Sequence, residues 1–461
     1  MSVARAPLTV VGGSIAALVA ADARLRRGGA VDLLLPRTGV AGGFAPIEVK
    51  GRRLGLGVRL LEIDREDAAA PPPLADYVAG PSGHVPFVRT LAEWTRELAG
   101  DGLREADGLA MVVDGRLADD IYFTVDLDGL RAALPAAEAD RTAAEAAHAR
   151  RLDGDAGVLG AGHDLGALSL DDASRRNHGA AFHERFIAAM CRKIHPGGAA
   201  AVPAALRRKV WMPLFHPRTL EAAAAGRPTG YRPHRPFHTV EPGGVGALVT
   251  ALLARIHAAP RARVVEAGRL LEATPVPSGQ VQLRFESLNC TVGRPVLGTS
   301  PAELFAAVGA GYDAPRLPMS IAWAEVDERD VLALPALVHV PDPGIDAFRI
   351  SPGDPPAPGR HALTLEMRHD LPADHVADAV RRAVVATGLV REGAPVEVVH
   401  HLAGPAMPDP GPAAQAAFAA ARARLNDAHL DAEVVGGAAA FGADSFNEQV
   451  IQGLRAEEAT R

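Results

Sequence analysis

The chain is 461 residues long, with a formal net charge of −7, 48% hydrophobic residues and 22% charged ones. That length exceeds the size at which one hydrophobic core keeps growing, so two domains are expected. The acidic balance excludes a basic face for nucleic acid, and two cysteines, Cys191 and Cys290, exclude a disulfide framework and fit a reducing cytoplasm.

The first element is an apolar strand at Leu8–Val11. It runs through Gly12 and Gly13 into an Ala/Leu-rich helix from Ser14 and Ile15, uncharged until Asp22. This order suits a βαβ unit whose helix N-terminus aims free N–H groups at a pyrophosphate. In the G-x-G-x-x-G fingerprint Gly12 makes the tight turn and Ser14 stands at the close-approach position. Ala17 stands at the helix–strand packing position, where alanine is an accepted substitute. The second strand, Val31–Leu35, ends in Leu35 where a ribose-binding acid is expected, and Arg37 just beyond it suits a 2′-phosphate and hence NADP. Residues 1–23 also resemble a secretory signal, with Arg5 before an apolar run and Ala21-Asp22-Ala23 as a small-residue site. The βα unit accounts better for the glycines, the continuing helix and the second strand. Beyond this stretch no run reaches the roughly 18 apolar residues of a membrane span.

A glycine-rich loop over 37–44, containing Gly42 and Gly43, leads to short strands expected at 47–49 and 54–56 around a turn at 50–52. Pro71, Pro72 and Pro73 mark a linker. From there to about residue 235 the pattern is mostly helical, with helices expected at 87–98, 127–151 and 180–192. Residues 226–236 read as an irregular crossover. A helix opens at 241–248, and β runs follow at 263–273 and 281–287. A mixed block over 312–400 carries strand patches at 320–326, 336–340 and 362–367 and a helix at 373–387. The chain closes with 433–437 and a helix begun by Ser445, with Glu448 three residues on as in a capping box.

These motifs in this order resemble the flavin-containing amine oxidase, protoporphyrinogen oxidase and phytoene desaturase superfamily over most of the chain. The residues that carry it are the turn at 12–17, Gly42-Gly43, the segment 242–248, the strand at 270–273, the segment 296–300 and Gly436-Gly437 with its helix. The resemblance implies an α/β chain: an FAD-type Rossmann domain of the glutathione-reductase-like kind, with an inserted α+β substrate domain. The first would be discontinuous over 1–67, 236–310 and 402–461, the second over 68–235 and 311–401. FAD would lie against Gly12, Gly13, Ser14, Ile15, Ala17, Leu35, Arg37, Gly42, Gly43, Phe44, Leu270, Gly436, Gly437 and Asn447. The implied activity is an oxidoreductase removing hydride from a C–N or C–C bond of a small or medium-sized metabolite.

The departures from the family pattern fall on cofactor contacts. Leu35 replaces the ribose acid, Phe44 an arginine near the phosphates, Gly55 an aspartate in a later strand, and Gly437 the acid that holds the ribityl chain. Each lost hydrogen bond is worth about 0.5–3 kcal/mol, and about 1.4 kcal/mol is tenfold in binding. The Ser14 hydroxyl and the helix N-termini at Ile15 and Ser445 offer compensating donors. Two readings therefore stand beside the NADP one. The first is an FAD-dependent oxidoreductase. The second is a flavin-free homologue serving as a non-redox enzyme or, as a pseudoenzyme, as a binding subunit for a protein partner; a homodimer suits either reading.

Outside the nucleotide site, Arg208, Trp211 and His216 lie in a segment rich in charge and aromatics, which suits an anionic group or the mouth of a substrate cavity. The plainer reading is a solvated helix end beside packed rings. Tyr231, His234 and His238 precede the return to the cofactor segment, where a histidine near neutral pKa suits acid–base work, although an ordinary loop histidine fits as well. His178, His183, Cys191 and His195 lie close in sequence. Residues five apart diverge on a helix and no CxxC accompanies them, so no metal site is expected.

Overall fold

The structure, a computed structural model, describes residues 6–37, 39–57, 59–63, 84–106, 108–124, 126–230, 237–354 and 357–460. The prolines at 71–73, Tyr231 and His234 lie outside the described residues. Among the described residues no helix is long and apolar enough to cross a membrane.

Strand β1 (Leu8–Val11) is buried along its whole length, as a central parallel strand covered on both faces must be. It pairs with β2 (Val31–Leu35) on one side and with Val296–Leu297 on the other. Ala262–Glu266 and Glu433–Val434 complete a five-stranded parallel sheet. Parallel neighbours need a crossover, and helix α1 (Ile15–Arg26) supplies the first. Its small residues are buried from Ile15 to Arg24, because helices Gly244–Ala258 and Phe446–Ala459 pack on it. The second of these approaches so closely that a Cβ on Gly453 would collide with the Ala16 carbonyl.

A second, seven-stranded sheet runs Val396–Pro408, Arg316–Asp327, Arg360–Met367, Ala347–Pro352, Leu337–His339, Leu109–Val113 and Arg116–Asp119. Its pairs are antiparallel except Leu337–His339 with Leu109–Val113. Residue 402 falls inside the long first strand of this sheet. One face packs Ala322, Ala324, Ile350 and Leu365 against helix Val376–Ala386. Met111 and Met319 belong instead to a core shared with Phe182, Phe186 and the helical segment.

Several expected elements divide differently. The hairpin Leu109–Val113/Arg116–Asp119 interrupts the helical stretch, because Asp114-Gly115, with φ of 51° and 70°, makes a two-residue turn. The helix expected over 127–151 splits at Pro135 into Leu130–Ala133 and Ala136–Asp153. The run expected over 263–273 breaks at Gly268, whose φ is 75°. Its first half joins the parallel sheet, and Leu270–Pro275 joins an antiparallel meander with Gln280–Phe285 and Asn289–Gly293. Lys50-Gly51, with φ of 50° and 75°, turns the chain two residues early, so the second short strand is Arg52–Leu54.

Lys193 seals the loop between Leu337–His339 and Ala347–Pro352. Its Nζ donates to the carbonyls of Val340 (2.6 Å), Asp342 (2.6 Å) and Ala347 (2.9 Å). Burial pulls this ammonium from 10.5 down to about 7, against the opposing pull of Asp342 and Asp346. Between those values the unfolded chain binds more protons than the folded one, so stability rises with pH. In chemical denaturation the stability advantage of wild type over Lys193→Met should widen from about pH 7 to about pH 9. An advantage that stays level or narrows refutes the burial effect.

Candidate functional site

The ends of the parallel strands converge around Gly12. Its φ is 98°, and an added Cβ would lie 2.5 Å from the backbone of Gly298 and Thr299. The Ser14 amide donates to the Gly298 carbonyl (3.1 Å), and Ser14 Oγ accepts from the Ala17 amide (3.2 Å), capping α1. The loop after β2 folds onto the same turn, with the Ala41 amide donating to the Gly13 carbonyl (2.6 Å). Gly42 and Gly43 in that loop are exposed, and a Cβ on either would meet nothing within 4 Å. Gly436 arrives from the C-terminal segment, and its Cβ would lie 3.1 Å from Ser14 Oγ. This is the carboxyl end of the parallel strands at the point where strand order reverses about β1, the usual place for a ligand in such sheets.

A second constellation crosses the seven-stranded sheet. Glu366 pairs with Arg349, Arg349 with His339, and His339 with Met111, each directly opposite on the neighbouring strand. Residues in register share a face. Arg349 and Glu366 are both buried and joined by two N–H···O bonds. The guanidinium lies 4.3 Å from the centre of the Trp211 ring and 5.8 Å from that of Phe123. His339 Nδ1 meets Asp120 Oδ1 at 2.8 Å. Asp120 Oδ2 accepts from the amides of Phe123 (2.7 Å) and Thr124 (3.1 Å). Burial raises the Asp120 carboxyl, but His339 and those amides outweigh it and hold the group below its ordinary value. Phe123 stacks on Phe237 at 4.8 Å.

The first chain segment, further along from the turn, reaches this row. A Cβ on Gly57, φ 88°, would lie 3.1 Å from Glu366 Cδ. Two residues earlier, the Gly55 carbonyl accepts from Trp323 Nε1 at 2.8 Å.

No protein-family model matches the chain, and no curated protein matches it. Solved structures do share its architecture. Reduced UDP-galactopyranose mutase superposes with a TM-score of 0.70 at 12% identity, over 99% of this chain and 95% of its own. Putrescine oxidase bound to putrescine gives 0.56 at 13%, over 98% and 97%. A fatty acid isomerase from P. acnes gives 0.54 at 14%, over 99% and 98%. The chain shares the fold of these three enzymes. That fold carries a mutase, an oxidase and an isomerase, so the reaction has to be argued from the site.

Of the positions that the superfamily pattern assigns to FAD, Gly12, Gly13, Ser14, Ile15, Ala17, Gly42, Gly43 and Gly436 gather at the turn. Leu35 is buried in the core beside Ile15 and Leu33, which leaves the ribose position apolar. Arg37 is exposed. Phe44 meets Phe446 edge-on at 5.4 Å, packing where a cation is expected. Leu270 stands apart from the turn: it shares a core with Val11 and Leu34, which point away from the α1 side, and its amide donates to Glu303 Oε1 (2.6 Å). Asn447 Nδ2 donates to the Glu62 carbonyl (2.9 Å).

The acid missing at Gly437 has a neighbour in space, since a Cβ there would lie 3.8 Å from Asp444 Cβ. Asp444 is ion-paired with Lys209, whose ammonium burial lowers to about 8. An FAD-type dinucleotide therefore fits this cradle through backbone amides, which need no particular side chain, and through Asp444.

On the substrate side, Trp211 joins the row as described. Arg208 spans the Tyr122 carbonyl (3.2 Å) and Glu62 (3.8 Å). His216 is buried at the N-cap of Pro217–Ala224. His238 lies in Phe237–Val240 between Leu61 and Glu105. Tyr231 lies outside the described residues. His178, His183 and His195 bond separately to Phe215, Asp171 and Asp409. Burial pushes the Cys191 thiol up to about 12. Among the described residues no group of three or more such ligands is placed to hold a metal.

Asp120, His339, Arg349 and Glu366 escape a reading by motif. A signal was nonetheless present. His339, Arg349 and Glu366 each interrupt an apolar strand, as in Leu337-Val338-His339-Val340, and a buried charge persists only when it is paired.

Proposed function

We propose that the chain is an FAD-dependent oxidoreductase acting on a small or medium-sized metabolite. The dinucleotide would lie at the Gly12–Ser14 turn, and the substrate against the row Glu366, Arg349 and His339. The observation that carries this reading is the meeting of Gly57 with Glu366, which brings the chain segment that follows the dinucleotide-type turn against the polar row. When bound, FAD supplies hydride acceptance. Trp211 and Phe123 offer ring faces to an apolar or aromatic body, and the Arg349–Glu366 pair adds polarity without net charge. Burial of the row excludes water. The division into a discontinuous cofactor domain and an inserted substrate domain belongs to this proposal. So does a cytoplasmic setting, which two free cysteines suit.

Leu35 and Phe44 favour a second reading, a flavin-free homologue with the same substrate face. The absorbance spectrum of the purified protein, before and after incubation with FAD, separates the two. The visible bands of oxidised flavin support the oxidoreductase. A colourless protein that takes up no added FAD ends that reading.

A further inference from the structure

His339 is held as an acid–base group is held. A carboxylate can only accept, so the proton between His339 and Asp120 sits on Nδ1, and in the neutral ring Nε2 is the nitrogen that carries the lone pair. Asp120 is itself fixed by the amides of Phe123 and Thr124. A carboxylate on Nδ1 orients an imidazole and stabilises the imidazolium that forms when Nε2 takes a proton.

The second observation is that Nε2 is buried and, among the described residues, has no hydrogen-bond partner. An orphaned buried acceptor carries its desolvation penalty with nothing to offset it. Two other buried histidines avoid that cost. His178 bonds Ser174 Oγ (3.0 Å) and the Phe215 amide (2.8 Å), and His195 bonds Asp409 (3.3 Å) and the Gly197 amide (2.9 Å). His183 also leaves one nitrogen orphaned, but its Asp171 is shared with Arg175 in the helical segment. Only His339 stands in register with Arg349 and Glu366. The rings of Tyr122 (4.9 Å) and Phe123 (4.6 Å) flank it.

We propose that His339 Nε2 accepts a proton from an O–H or N–H group of an uncharged substrate with an aromatic or alkyl body, with Asp120 as its positioning residue. The O–H or N–H bond breaks, its electron pair stays on oxygen or nitrogen, and the proton forms the Nε2–H bond of an imidazolium paired with Asp120. The aromatic neighbours and the neutral Arg349–Glu366 pair set the class, since neither rewards a charged body. This inference rests on the substrate face assigned above, not on the flavin.

Diethyl pyrocarbonate acylates unprotonated, reachable imidazole nitrogens, and peptide mapping locates the product. In the protein as isolated, His339 should be labelled despite its burial. Phenol, an aromatic ring with one O–H, should slow that labelling by about tenfold or more. In Asp120→Asn the side-chain oxygen stays with the two amides and the NH2 turns to Nδ1. The proton then moves to Nε2, and labelling should fall as far.

The proposal is overturned if His339 stays unlabelled while the exposed His375 is fully modified, or if phenol leaves the His339 rate unchanged. These wild-type results decide it even where the variant does not fold. The absorbance of the same sample separates the two claims, because a colourless protein with a labelled, phenol-protected His339 upholds the site and removes only the flavin.

Discussion

Arg349→Met should cost about 3–5 kcal/mol of stability, the range for breaking a buried ion pair by removing one partner. Glu366 would keep its carboxylate in a strand interior with no cation opposite, and Trp211 would lose the guanidinium on its face. The double variant Arg349→Met/Glu366→Leu should recover most of that loss, since apolar replacement of a buried pair is often neutral or stabilising. Urea denaturation of the three proteins tests this. If Arg349→Met loses less than about 1 kcal/mol, the pair behaves as a solvated surface pair and the row is not a sealed site. A double variant no better than the single would place the cost in packing.

Gly12→Ala is the second large effect expected. The new methyl would sit 2.5 Å from the Gly298 carbonyl and the Thr299 amide nitrogen, both backbone, at a φ of 98° that L side chains rarely adopt. Backbone strain of this kind costs about 1–3 kcal/mol by itself. The collision must also push β1 away from Val296–Leu297, whose pairing builds the middle of the parallel sheet. Gly43→Ala is the control, because nothing lies within 4 Å of its Cβ and its φ is not positive. It should stay within about 0.5 kcal/mol of wild type, as exposed substitutions do. Thermal unfolding that ranks the two variants together would show the Gly12 contact to be slack.

The nucleotide turn was legible because its parts are local. An apolar strand, a glycine at positive φ and a Ser N-cap follow one another within seven residues, and each owes its conformation to its own chemistry. The Ser445 cap was readable for the same reason, with Ser445 Oγ accepting from the Glu448 amide at 3.3 Å. Errors arose where a single residue redirected the chain inside a longer pattern. Pro135, Gly268 and the Asp114-Gly115 turn all did so, and average periodicity passed over them.

The erosion of FAD contacts was also read along the sequence, position by position. In space one of those losses changes character: Gly437 has no acid, yet Asp444 places its Cβ 3.8 Å from where one would begin. Leu35 and Phe44 have no such change, being packed into the core beside Ile15 and Phe446.

By itself, then, the sequence determined the dinucleotide-type turn, the caps and the apolar strands that make the parallel sheet. Only the tertiary structure decided that His339, Arg349 and Glu366 stand side by side, and that Asp120, 219 residues from His339, orients its ring. Local signals act through torsions and neighbours within a few residues. Which strand lies beside which, and in what register, is settled by the burial of whole faces, and a one-residue slip would send each of these charges to the other side of the sheet.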